Sequence, residues 1–146
     1  MNKFLNRFAV RHVIALSVFG FFLASAPQAY SAMSVSTNKF EGTKANMGAA
    51  TLSKEGKANM LTWSEDFKIP DAPAPHWQVV DSQGNTHLLN RLTIKGEKHN
   101  KSIPVPSYIK DIVKVQIWCS YAEALLGEAS FSKPMVMGSD DFFNPA

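Results

Sequence analysis

The sequence has almost no cysteine: Cys119 stands alone, so no internal disulfide can staple the chain. It also lacks the short motifs of common chemistries. There is no Gly-x-Ser-x-Gly elbow, no phosphate-binding loop, no His-Glu-x-x-His and no Cys-x-x-Cys-His, so no catalytic constellation is legible and the chain reads as non-enzymatic. The apolar run from Val13 to Ala24 is too short to span a bilayer.

What surrounds that run is informative. Lys3, Arg7 and Arg11 precede it and small residues follow it, the order of a secretory signal peptide. Ala29-Tyr30-Ser31 fits the small-x-small cleavage rule without a proline after the cut, so the sequence predicts a signal peptide over residues 1–31 and an exported, periplasmic or secreted chain. No cysteine sits just past the apolar run, which excludes a lipoprotein anchor.

Cleavage removes the apparent basicity. Of 15 Lys and Arg, three lie in the signal, whereas all 12 Asp and Glu lie beyond it. The remaining chain is neutral, and no basic footprint for nucleic acid is left. About 115 residues remain, one domain's worth.

Eight prolines and eight glycines punctuate the chain, and short alternating runs lie between them. This predicts an all-β fold, a single antiparallel β-sandwich over 40–133. Residues 32–39 and 134–146 are expected to be flexible ends. "GAATLSKEGKANMLTW" reads as one hairpin and "HWQVVDSQGNTHLLNRLTI" as a second, with the proline-rich "IPDAPAP" as a loop between them. The stretch "KVQIWCSYAEALLGEASF" is the clearest strand pair. Its alternation puts Val113, Val115, Ile117, Cys119 and Tyr121 on one inward face and Trp118 on the other. After a turn at Ala122–Ala124, Leu125, Gly127, Ala129 and Phe131 continue the apolar face.

The same stretch, preceded by "SIPVPSYIKDI", resembles the DM-thirteen (electron-transfer DM-thirteen) domain family. The resemblance runs from Phe40 to Phe131 through Gly48, the Asp66-Phe67 pair, Pro75, Leu89, Leu92 and Gly96, Pro106 and Tyr108. It is most specific at Val115, Ile117, Trp118 and Cys119, with Gly127 and Ala129 after them. One departure is Pro75-His76 where many members have Pro-Asp. The resemblance implies a β-sandwich module with a redox or electron-transfer role, a redox or protein partner, and Cys119 as the redox or ligand residue with Trp118, Asp66, Phe67 and Gly127 as neighbouring motif residues.

From the residues themselves three uses are open to Cys119: a small buried hydrophobe, a reactive or metal-ligating thiolate that needs a nearby cation or metal, or an intermolecular disulfide. His76, His87, His99, Lys95 and Lys98 are the candidate cations. Spacing suits neither a blue-copper site nor a paired zinc site. A haem held by distant Cys, His or Met ligands, or another redox centre, stays open as the cofactor. Glu65 and Asp66 read as turn acids. Trp63, Phe67, Trp77, Tyr108 and Tyr121 read as core, and Trp118 as either covered or part of a binding face. The second class of function is thus an exported interaction or adhesion sandwich in which Cys119 only packs.

Overall fold

The computed structural model describes residues 34–93 and 99–138, within a compact unit of residues 31–146. The expected signal peptide lies outside the described residues, as do Lys95, Gly96 and Lys98. No helix among the described residues is long and apolar enough to cross a membrane.

Among the described residues eight strands form two four-stranded antiparallel sheets, a β-sandwich. The first sheet orders β1 (Ser34–Ser36), β2 (Ala50–Glu55), β3 (Ala58–Trp63) and β6 (Ser102–Pro104). The second orders β5 (Thr86–Arg91), β4 (Pro75–Val80), β7 (Asp111–Cys119) and β8 (Ala124–Val136). Both predicted hairpins are present, as β2–β3 and β4–β5. Period-two burial explains them: Ala50, Leu52, Leu61 and Trp63 of the first sheet face Trp77, Val79, Val115 and Ile117 of the second, each apolar face covering the other. Rings run through this core. Trp63 stacks on Trp77 with centroids 5.4 Å apart, and Phe67 lies 5.3 Å from both Trp63 and Phe40.

The structure departs from simple alternation in β7 and β8, where two register shifts occur. The first separates Ile112 from Lys114, so Ile112 and Val115 are both buried and Val113 is not. The second pairs Ile117 with Gly127 but Trp118 with Leu125, leaving Leu126 as the extra residue. Leu126 therefore turns inward and Leu125 outward, reversing the expected face; a bulge does this because it adds one residue to a two-residue period. Tyr121, expected inward, is 80% exposed in the turn after β7.

The described parts of the two ends expected to be flexible, residues 34–39 and 134–138, include strand. Ser34–Ser36 forms β1 against β2, and Val35 packs on the core. At the other end β8 continues to Val136 and buries Met135 completely.

The segment after β1 crosses to the other sheet and fences the edge of β8. Asn38 donates its amide to the Ser130 carbonyl (2.9 Å) and accepts from the Ser130 amide through Oδ1 (2.6 Å). Glu41 and Glu128 exchange backbone hydrogen bonds, each 2.9 Å. The amides of Lys44 and Ala45 both donate to the Leu126 carbonyl, at 3.0 and 2.9 Å. An edge strand is thereby closed to foreign pairing.

Candidate functional site

Cys119 ends β7, opposite Pro75 of β4 and Ala124 of β8. It faces inward and is 1% exposed. Its position is the rim of the sandwich rather than the aliphatic centre, because three pieces of chain converge there. The connection into β4 contributes Ala74, whose carbonyl accepts from the Ser120 amide at 3.0 Å. The β7–β8 turn contributes Tyr121, Ala122 and Glu123, the last at a left-handed φ of 48°, uncommon for a residue with a side chain. The third piece is the loop carrying Lys44, whose ammonium donates to the Asp71 carbonyl at 2.8 Å and so ties this loop to the first.

Close packing of small residues makes the convergence possible. Gly42 approaches so near to Gly127 that a Cβ on it would lie 2.3 Å from the Gly127 Cα. Gly127 in turn faces Ala45. The space that small residues at Gly127 and Ala129 would leave beside the thiol is thus taken by the loop at Gly127, and the bulge at Leu126 presents the carbonyl that anchors it.

This arrangement favours the thiolate relative to an ordinary thiol. Hydrogen bonding from the backbone at Ala122 lowers the thiol pKa below its ordinary value, desolvation opposes it, and the backbone at Ala74 and Tyr121 and the positive charge of Lys44 add to the lowering. Only N–H groups directed at sulfur can act in that sense, since they favour thiolate over thiol.

The other predicted residues fall in different places. Trp118 lies on the outer face of its sheet, half-buried, paired across with His76 on one side and Leu125 on the other. Asp66 is in a turn, where it accepts the Ser64 hydroxyl at 2.5 Å. Phe67 belongs to the ring stack of the core. Gly127 meets the Lys44 loop, through Ala45 and Gly42. His76 shares the outer face with Trp118 and bonds the Ala74 carbonyl through Nδ1 at 2.9 Å. His87 pairs with Asp81, Nε2 to Oδ2 at 3.1 Å, and His99 bridges to Thr93. None of the histidines appears among the influences on the thiol; Lys44, absent from the expected cations, does. Among the described residues no group of three or more His, Cys, Asp or Glu is placed to hold a metal ion.

Tyr108, expected in the core, is exposed and rests its ring against His87 with centroids 5.9 Å apart. On the outer face of the second sheet a polar row runs across three strands. Gln78 donates to Gln116 (2.6 Å), Gln116 to Glu128 (2.9 Å), and Lys114 to Glu128 (2.7 Å). Lys114 and Gln116 hold the Glu128 carboxyl below its usual range.

Comparison of the chain with protein-family models, with curated proteins and with solved structures finds no match.

Proposed function

We propose that this is an extracytoplasmic redox module of the DM-thirteen kind whose working group is the Cys119 thiolate. One observation carries the reading: the only cysteine in the sequence sits where backbone donors and Lys44 lower its pKa against its own desolvation. A cysteine used only as a small hydrophobe needs no such surroundings. The Ile-Trp-Cys resemblance to a family with an electron-transfer role supports the same reading.

The chemistry follows from having one thiol. Cys119 thiolate attacks a partner's disulfide, a bond forms between Sγ and one partner sulfur, and the other sulfur leaves as thiolate. Cys119 is oxidised and the leaving sulfur reduced. With no second cysteine to resolve it, the mixed disulfide persists until an external thiol attacks. Because Cys119 is buried at rest, attack requires the loop around Lys44 or the turn at Tyr121–Ala122 to lift.

The test is exposure of the folded chain to a small aromatic disulfide across pH, with the release of the leaving thiol followed in time. The redox reading expects reaction without denaturant and a rate that already reaches its plateau below the pH at which an ordinary thiol ionises. The second reading, an exported interaction sandwich with Cys119 as packing, draws on the near-complete burial of the sulfur. It expects reaction only on unfolding.

A further inference from the structure

The edges of the two sheets are protected unequally. β8 is fenced by Asn38–Ala45. β1 and β6 have three residues each, and β6 ends in Pro104. β5 has six residues, Thr86–Arg91, with neither proline, glycine nor lysine among them; its register shift and Arg91 lie toward its C-terminal end, so the devices that usually blunt an edge leave its first three residues uncovered.

Which backbone groups of β5 point outward, unpaired among the described residues, follows from the pairing on its other side. In β4, the Ala74 carbonyl points to β7, where it meets the Ser120 amide, and the Pro75 carbonyl points to β5, where it meets the Leu92 amide. Odd-numbered residues of β4 therefore face β5, and Val79 exchanges its bonds with His87, its register partner. Alternation then turns the N–H and C=O of Thr86 and Leu88 outward. The register shift lies just beyond, between the pairs Gln78–Leu88 and His76–Arg91, so the regular open edge is Thr86-His87-Leu88. Leu88 also exposes 48% of its surface.

This short edge is complementary to itself. Placed antiparallel about a two-fold axis through His87, Thr86 of one copy lies opposite Leu88 of the other. Each then exchanges its outward N–H and C=O in a regular ladder, and each exposed leucine is covered by a threonine. Across the axis the two His87 rings face each other, each with Asp81 of its own copy beside it at 3.1 Å, and Arg91 lies beyond the bulge. We infer that the β5 edge is a self-association surface through which two copies join their second sheets into one continuous sheet, independently of the Cys119 reading. The pairing is short, so the dimer is weak and dependent on concentration.

Sedimentation equilibrium of the expressed chain from micromolar to millimolar concentration tests this. The expected result is a reversible monomer–dimer equilibrium with its midpoint inside that concentration range. Leu88→Lys and, separately, Thr86→Lys should each weaken it at least about tenfold. Both side chains are exposed, so melting temperature is expected to be unchanged, and either variant suffices if the other misfolds. A chain that stays monomeric throughout, or a dimer that both lysine variants leave intact, overturns the inference.

Discussion

Gly127 and Ala45 are in contact that admits no side chain between them: a Cβ on Gly127 would lie 2.1 Å from the Ala45 carbonyl oxygen. Backbone meets backbone here, so neither partner can swing aside. The contact holds the Lys44 loop on the bulge of β8, and thus holds the cation at the Cys119 rim.

Gly127→Ala should therefore lift that loop. Overpacking of this kind costs about 1–3 kcal/mol, and a denaturant melt would register it. The local signature is faster hydrogen exchange at the Lys44 and Ala45 amides, which now bond Leu126. Unchanged exchange at both amides would contradict the packing argument.

Replacing the sulfur separates packing from polarity. If Cys119 were only a hydrophobe, Cys119→Ala would be tolerated better than Cys119→Ser, because a hydroxyl without partners in an apolar site costs about 1–3 kcal/mol. With backbone donors around the sulfur the order reverses. Serine keeps an acceptor for them and alanine leaves them unsatisfied, so Cys119→Ser should be the more stable variant by about 1 kcal/mol. Thermal melts of the two at neutral pH decide it.

A second titrating group acts far from this rim. Asp81 has its pKa lowered from 3.8 to about 2, first by the Asn85 side chain, against desolvation, and then by His87 and the Asn85 and Gln83 amides. Its folded pKa lies below its unfolded one, so the stability it adds is complete above pH 3.8 and is lost as pH falls through 2. Asp81→Asn should remove that part of the acid sensitivity, so that the melting temperatures of the two proteins converge between those pH values. Curves that stay parallel across the window would show that the Asp81 turn does not contribute.

Much of the fold was legible because burial on one face leaves a period of two. Leu52 and Leu61, or Trp77 and Val79, announce their strands and their inward direction directly. The bulges were not legible: Leu126 looks like any residue in an alternating run, and its inward turn depends on pairing with β7. β1 and the fence at Asn38–Ala45 were hidden for a related reason. Their order comes from backbone bonds to Ala50, Ser130, Glu128 and Leu126, distant in sequence, and backbone bonds leave no mark in residue type. Lys44 was missed at the rim for the same cause. Its trace in the sequence is the set of small residues Gly42, Ala45 and Gly127, which together signal two stretches of backbone in close approach.

Lys44→Met tests whether charge at a distance matters to the sulfur. The substitution keeps the length of the chain and removes the ammonium, so the Cys119 pKa should rise, though by less than loss of the backbone donors would cause, because Lys44 is the smallest of the named influences. Reaction with the aromatic disulfide should slow near neutral pH and recover in alkaline solution. An unshifted rate profile would remove Lys44 from the account.

The most direct measurement is the thiolate absorbance of the folded chain followed against pH, with Cys119→Ser as the blank. A single titration is expected below the ordinary thiol value of about 8.5, moving up to that value on unfolding. Because the folded pKa is the lower one, stability relative to Cys119→Ser should also grow as pH rises from the folded pKa toward the unfolded one, and be complete above it. A folded thiol that titrates at or above its unfolded value would contradict the poised thiolate and leave Cys119 as packing.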